Sequence, residues 1–414
     1  MIRILTSDGI GTLLRRRRQR LEDAIAVVQP ILEAVRKRGD KAVIEYCRRF
    51  DGLTRSSVRV PERELKAAAT KLAPAFRKAA EMAISNIRAY AELQMPVEKS
   101  REVQPGLWLG QLVRPIDAVG AYIPAGRYPL PSTLLMTVVP AQVAGVPQIS
   151  VCCPRPVPEI LGTAYLLGID SVFHMGGAQA IAALAYGTRT VPRADRIVGP
   201  GNVYVAAAKR LLAGEVGIDF IAGPTEIVII AGAGEPAYFA ADILAQAEHD
   251  VDASAILLTT SRRLAQAVAQ EIERRLENLP TAAVAREAIR RNSAIVLVRS
   301  LSEAIELANR YAPEHLSIPD DSLLKRVRHA GSVFIGPHSP EAAGDYASGP
   351  NHVLPTNGTA RLRGGLSVSD YLKVISVQRL NPEALRRIAP VITVLARAEG
   401  LEAHARSVEV RIDA

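Results

Sequence analysis

The chain has 414 residues, 48% of them apolar and 22% charged, with a net charge of +9. That length exceeds one simple core and predicts two to three domains, while no apolar run approaches the roughly 20 residues of a membrane span. Aromatic residues make up only 4%, so the positive charge comes with few stacking platforms and no nucleic-acid-binding signature.

The opening stretch MIRILTSDGIGTLLRRRRQR has no hydrophobic run followed by a small-residue cleavage site, so a cytoplasmic location is expected. RRRRQR at 15–20 supplies five of the positive charges and reads as a solvated basic helix start. The general positive field could also attract an anionic dinucleotide. From about residue 13 to 95 the pattern is helical. In EDAIAVVQPILEAVRKRGDKAVIEYCRRFDG apolar residues recur at three- and four-residue steps until Asp51-Gly52 stops them. ERELKAAATKLAPAFRKAAEMAISNIRAYAEL predicts a second pair of helices.

Beyond RPIDAVGAYIP, short β-rich runs alternate with helical stretches. VGAYI precedes STLLMTVVPAQVAG, QISVCC precedes EILGTAYLLG, SVFHM precedes AQAIAALAYG, and DRIVG precedes NVYVAAAKRLL. Such alternation predicts βαβ units and a parallel sheet covered on both faces. EIVIIAG at 226–232 reads as a strand at a seam. A second alternation then runs from a helix at 236–249 through AILLTT, AIVLV and HLSI to GSVFIGP. The remainder, with SVSDYLKVISVQ and LEAHARSVEVRI, forms an appended tail. Cys47, Cys152 and Cys153 are too few and too poorly spaced for a disulfide framework or a cysteine zinc site, and read as small buried hydrophobes.

Two glycine-rich loops, GGAQA (176–180) and GPGN (199–202), each follow a short strand and precede a helix. Backbone N–H groups converge at such helix starts, which suits a phosphate, and plain turns share the same composition. LAQAEHD, 244–250, closes the helix at 236–249. Gln246 and His249 stand three residues apart, on one face, and can address one object. A solvated helix end, with His249 near the helix dipole, is the plainer alternative. Glu314 and His315 sit together in YAPEHLSI at the mouth of a strand. Asp345 lies in AAGDYASGPNHVLPTNGTAR, with His352 seven residues on, in a loop of the kind on which sites are built. His404 is in the tail. Gln246, His249, Asp345 and His404 make a workable N/O set for zinc, which leaves Glu314 as a base and His315 as a proton carrier. Each also fits an ordinary surface role, and spacing alone does not bring 249, 345 and 404 together.

AGPTEIVIIA, LAQAEHD, YAPEHLSI and GDYASGPNHVLPTNGTARLRGGLSVSDYLK together resemble the histidinol dehydrogenase family and occur in that family's order. So do VGAYIPAGRYPLPSTLLMTVVPAQVAG, GGAQAIAALAYGT and VGPGNVYVA, so the resemblance spans nearly the whole chain. It implies that Gln246, His249, Asp345 and His404 hold one Zn2+ per subunit and that Glu314 and His315 are the catalytic pair. Thr225, His352 and Glu399 would join His315 and those four ligands in binding the substrate. Tyr122, Gln179 and Asn202 would contact NAD. A homodimer is also implied, with the tail carrying Glu399 and His404 reaching into the partner's site. This chain departs from the family pattern at Thr225, where a serine is expected, and at Ala125 in YIPAG, where a second glycine is usual. Leu362 and Arg363 stand where an aromatic and a small residue are common.

The expected fold is therefore α/β: two Rossmann-like α/β units with parallel sheets, a helical N-terminal region, and a C-terminal tail exchanged in a dimer. The expected divisions are an N-terminal arm (1–20), a first α/β domain with the catalytic and metal residues (21–121 and 232–366), a second α/β domain contributing NAD binding (122–231), and a dimerisation tail (367–414). The implied activity is the NAD- and zinc-dependent four-electron oxidation of L-histidinol through L-histidinal to L-histidine, with no nucleic-acid or membrane partner. Its rivals are a related zinc- and NAD-dependent dehydrogenase acting on another small polar alcohol, and a zinc hydrolase in which Glu314 activates water without any nucleotide.

Overall fold

The computed structural model describes residues 2–9, 21–125, 128–221 and 223–413; the arginine-rich run at 15–20, and most of the expected arm at 1–20, lie outside the described residues. The chain divides into two compact units, Met1–Gln94 with Asp117–Tyr371, and Met95–Ile116 with Leu372–Ala414.

In chain order the described elements begin with β1 (Arg3–Thr6), α1 (Leu21–Arg38), α2 (Asp40–Phe50), α3 (Glu62–Lys71) and α4 (Pro74–Leu93), followed by β2 (Lys99–Gln104) and β3 (Leu107–Pro115). A first alternation comprises β4 (Ala118–Tyr122), α5 (Pro131–Ala144), β5 (Gln148–Cys153), α6 (Pro158–Leu166), β6 (Val172–His174), α7 (Gly177–Tyr186), β7 (Arg196–Val198), α8 (Val203–Leu212) and β8 (Gly217–Ile218). The second comprises β9 (Glu226–Ala231), α9 (Pro236–Ala247), β10 (Ser254–Thr259), α10 (Arg262–Leu276), α11 (Ala282–Asn292), β11 (Ala294–Leu297), α12 (Leu301–Tyr311), β12 (His315–Ile318), β13 (Ser332–Ile335) and α13 (Glu341–Tyr346). β14 (Leu372–Leu380), α14 (Pro382–Ala398) and α15 (Glu402–Ile412) complete the chain.

The larger unit holds two parallel sheets, as the alternation predicts. One has six strands in the order β1-β11-β10-β9-β12-β13. Its central strand β9 is buried at every position, the mark of a parallel strand covered on both faces. Side chains alternate between those faces. Ile227, Ile229 and Ala231 pack under α9, α10 and α11, whereas Val228 and Ile230 pack against α12. Ser261 and Ser300 cap α10 and α12, accepting from the N–H groups of Leu264 and Glu303.

The other sheet has five strands in the order β6-β5-β4-β7-β8, also parallel. From β4 the chain steps outward to β5 and β6, then returns to β7 on the far side of β4. The crevice between the carboxyl ends of β4 and β7 is thus the topological switch point, where open α/β sheets bind ligands. Cys47, Cys152 and Cys153 are free and buried in this lobe, as small hydrophobes.

Pairing corrects the expected boundaries. EIVIIAG reads as a strand at the seam, with 226–231 on the side of the second domain (122–231), and β9 pairs with β10 and β12 at the centre of the six-stranded sheet. A buried apolar run looks alike in either sheet, and only its partners decide. β4 spans the expected 121/122 division and is the middle strand of the five-stranded sheet. The helices from residue 21 to 50 belong with that lobe too, since Val28, Leu32, Val43 and Cys47 share a core with Phe173 and Ile181.

The smaller unit contains an antiparallel sheet, β14-β3-β2, and the helices α14 and α15. Trp108 and Arg379 are cross-strand partners, and the guanidinium lies 5.3 Å from the ring centroid. Its C-terminal part starts at Leu372, and it includes the segment Met95–Ile116, which the expected divisions place in the first α/β domain.

Candidate active site

Thr225 immediately precedes β9, and Glu314 immediately precedes β12, the neighbouring strand. Both therefore stand at the amino edge of the six-stranded sheet. α12 ends sharply above them: Ala312 turns to φ 52, ψ 65, and Pro313 follows. A left-handed conformation at a non-glycine residue costs on the order of 1 kcal/mol, and here it delivers the chain from helix to strand within three residues. Glu314 is left buried, with Oε2 accepting from Thr225 Oγ1 at 2.5 Å and from the Glu226 N–H at 2.8 Å.

Thr225 Oγ1 also accepts from Gln246 Nε2, at 2.6 Å. Gln246 lies in the last turn of α9, and with its amide donor engaged it keeps a buried Oε1 that has no partner. The helix stops at Ala247, short of the expected 249. Glu248 retains a helical conformation, so the near-helical spacing from Gln246 to His249 survives, but Gln246 is buried and His249 exposed.

His315 opens β12. Its Nδ1 is 3.2 Å from the Glu226 carbonyl oxygen, which can only accept, so Nδ1 carries a hydrogen. Nε2 is left without a hydrogen-bond partner, 3.6 Å from Asp345 Oδ1. Glu314 Oε2 lies 3.7 Å from Nδ1. His352 is placed by the same logic. Nδ1 donates to the Asp345 carbonyl oxygen at 2.7 Å, and Nε2 accepts from Thr133 Oγ1 at 3.0 Å. Thr133 belongs to α5, so this imidazole joins the two lobes of the larger unit.

The charges are strongly coupled. Burial pushes the Glu314 carboxyl up from its ordinary value, against the pull of His315 and the donated hydrogen bonds. For His315 burial opposes the charged form, but Glu314, Asp345 and Glu341 outweigh it and push the imidazole up to about 10. Burial also works against the Asp345 carboxylate, yet its contact with His315 and the charges of His352 and His249 hold it below the usual range. Burial depresses His352, and raises Asp242 on α9 to about 6.

Among the described residues no three His, Cys, Asp or Glu side chains are gathered as a metal cage. The donors Gln246 Oε1, Asp345 and His249 nonetheless suit zinc: one orphaned buried amide oxygen, one carboxylate and one imidazole. Glu399, which closes α14, and His404, in the first turn of α15, belong to the smaller unit, where both are exposed.

Tyr122 and Asn202 flank the switch point of the five-stranded sheet. Tyr122 is buried at the end of β4, its hydroxyl accepting from the Gly177 N–H at 3.2 Å. Asn202 is exposed and caps α8, accepting from the N–H groups of Tyr204 and Val205. Gln179 is buried in the first turn of α7, where Nε2 donates to Asp51 Oδ2 at 3.0 Å. Asp51, read from sequence as a helix stop, also accepts from the Gly176 N–H and so organises the GGAQA loop. The GPGN loop rests on a buried ion pair. Lys209 Nζ donates to Asp219 Oδ1 at 2.6 Å and to the Gly199 carbonyl at 2.5 Å. Gly199 has φ +109, and a Cβ there would lie 2.1 Å from the Tyr122 carbonyl oxygen, so the crevice closes only around a glycine.

Of the departures, Leu362 is solvent-exposed, whereas Arg363 is tied in. Its guanidinium makes a two-oxygen ion pair with Asp370, donates to the Asp219 carbonyl and covers the Phe220 ring. Glu341 was missed altogether. It lies four residues before Asp345 on α13, a spacing that a helical reading of SPEAAGDY would have exposed.

Comparison with known proteins gives a consistent result. The family model described as histidinol dehydrogenase matches residues 14–412. The histidinol dehydrogenase of Thermus thermophilus is 51% identical over 394 residues, covering 93% of this chain and 94% of that protein. That of Methanothermobacter thermautotrophicus is 47% identical over 413 residues, with 97% of each chain covered. The crystal structure of histidinol dehydrogenase from Elizabethkingia anophelis superposes with a TM-score of 0.95 at 38% identity, covering 100% of this chain and 98% of that one. An acetylating aldehyde dehydrogenase from Geobacillus thermoglucosidasius, at 13% identity and a TM-score of 0.50, covers 87% of this chain and 98% of its own, and shares the fold alone.

Proposed function

The chain belongs to the histidinol dehydrogenase family, and on that premise we propose that this site carries out the NAD-dependent oxidation of L-histidinol through L-histidinal to L-histidine. The enzyme is an oxidoreductase of histidine biosynthesis. The overall change is a four-electron oxidation: the alcohol loses a hydride and a proton, the aldehyde adds water, and the diol loses a second hydride and proton. Two NAD+ are consumed.

The observation that carries the assignment of roles is the buried Glu314–His315 pair. His315 is pinned through Nδ1–H, so the single ring atom available for proton transfer is Nε2. Its neutral form, the minor one at neutral pH given the carboxyls around it, is a strong base that takes the alcohol proton, and later the diol proton, as hydride departs. Glu314 is the base that deprotonates water for attack on the aldehyde; its raised proton affinity matches that task near neutral pH. Acid–base help of this kind is commonly worth about 10²–10⁴ in rate.

Gln246, His249 and Asp345 would hold zinc, with His404 as fourth ligand. When bound, the zinc supplies a positively charged template for the substrate's nitrogen atoms. A neutral amide among the ligands suits this, since one carboxylate leaves the ion net positive. His352, held neutral between Asp345 and Thr133, and Thr225 line the substrate position with Glu399. Tyr122, Gln179 and Asn202 form the NAD side, Tyr122 and Gln179 by holding the loop and Asn202 from the surface. His404 and Glu399 are supplied by the partner subunit of a homodimer through an exchanged tail. The proposed division is accordingly a six-stranded catalytic lobe, a five-stranded NAD lobe and a dimerisation unit.

The test is stoichiometric. Two NADH per histidinol consumed, lost on chelation and restored by zinc, is the expected result. One NADH per histidinol, or turnover without nucleotide, overturns it.

A further inference from the structure

Glu341 is a carboxyl with no task in the reaction just described. It is 3% exposed, and neither of its oxygens has a hydrogen-bond partner. A buried carboxyl without donors is strongly disfavoured, so such a group persists where something satisfies it in the working state. One turn along α13 stands Asp345, on the same helix face. The groups that act most strongly on Glu341 are His315, Asp345, Asp242 and Glu314: one imidazole and three carboxyls. The surroundings of Glu341 are thus acidic to excess, and none of them donates a hydrogen bond to it.

The substrate of the reading above, on which this inference rests, supplies the donors that Glu341 lacks. Histidinol is a small amino alcohol whose amine keeps two N–H donors even when its lone pair faces a metal ion. We propose that Glu341 is a substrate-binding residue, accepting a hydrogen bond from the amine of the amino-alcohol substrate beside His315. It complements the metal ligands without being one, since no third acidic or imidazole side chain converges with it on a metal position among the described residues. Its oxygens give the amine a fixed direction, which sets the hydroxymethyl carbon against His315 Nε2.

Glu341→Gln keeps the size of the side chain and removes its charge. Calorimetric titration with histidinol, without NAD, is expected to show binding weakened about 10- to 100-fold, the range of one charge-assisted hydrogen bond. Zinc content and KM for NAD should match the wild type. 4-(3-Hydroxypropyl)imidazole, which lacks the amine, should bind both proteins alike. Glu341→Asp keeps the charge and should recover part of the histidinol affinity; it is the variant to read if Glu341→Gln does not fold. Unchanged histidinol binding, or an equal loss for the deamino ligand, overturns the proposal. So does zinc loss in step with binding, which would make Glu341 a metal residue. A wild-type enzyme that forms no NADH from histidinol would instead bring down the functional reading itself.

Discussion

The hydroxyl of Thr225 lies 2.5 Å from Glu314 Oε2 and 2.6 Å from Gln246 Nε2, donating to one and accepting from the other. One side chain thus orients both the proposed base and the proposed metal-ligating amide. Thr225→Val keeps the shape and removes the hydroxyl, leaving two buried polar groups short of a partner. A fall in kcat of about 10- to 100-fold, with faster zinc loss to a chelator, is expected. Thr225→Ser should retain both properties. Steady-state kinetics with metal analysis decides the matter, and a fully active valine variant would remove the coupling.

Glu314→Gln should bind zinc and NAD but stall after the first oxidation, because an amide cannot deprotonate water. Supplying histidinal directly isolates the second half of the reaction. Wild-type conversion of that aldehyde by the variant would show that the base lies elsewhere.

His249→Asn should lower zinc content and activity together, because a proposed imidazole ligand is lost from a surface position just past α9. Elemental analysis checks this. Full zinc occupancy in the variant would exclude His249 from the ligand set.

Asp242 gives a pH signature. Burial raises its pKa from 3.8 to about 6, so its contribution to stability is fully present below pH 3.8 and is lost as the pH rises through 6. Above that, the native state must bury a charge. Asp242→Asn should therefore stabilise the chelator-treated protein by about 1–3 kcal/mol at pH 8 and hardly at all at pH 4. Urea melts at the two pH values measure it; equal effects at both would point to packing rather than charge.

The proposed tail exchange predicts complementation. His404→Ala and Glu314→Gln homodimers should each be nearly inactive. In a mixed dimer one site has its own Glu314 and receives His404 from the Glu314→Gln chain, while the other collects both defects. Random re-pairing should restore about a quarter of wild-type activity, and a purified mixed dimer about half. Differently tagged co-expressed chains provide the assay. A mixed dimer as inactive as its parents would place His404 in its own subunit or outside the metal site.

Much of this architecture is legible before any coordinates. EIVIIA and SAILLT are unbroken apolar runs between turn residues, and such runs become parallel strands wherever both faces are covered. KSREVQ is different: every residue of β2 is exposed, so no hydrophobic pattern announces it. β3, its neighbour, pairs on its other edge with β14, more than 250 residues further along. β1 was hidden in the same way, as a four-residue edge strand with two exposed positions. In the site, Glu314, His315 and Asp345 stood out as polar residues in loop and strand-mouth contexts, and the family resemblance joined them. Glu341 did not, because SPEAAGDY has the composition of a solvent-facing turn and its burial arises only when α13 packs near α9.

The placement of Thr225 and Glu314 ahead of their strands leaves the opposite rim of the six-stranded sheet without chemistry. The turns at 232–235, 260–261 and 298–300 join β9 to α9, β10 to α10 and β11 to α12, and none carries a proposed ligand, base or substrate contact. That rim is where the molecule can be rebuilt. A reporter domain spliced in there, or new chain ends opened at 233–234 in a circular permutant, would disturb turns alone. An insertion at 232–235 leaves the caps at Ser261 and Ser300 in place, while the rim that bears Thr225 and Glu314 must hold its geometry to fractions of an ångström.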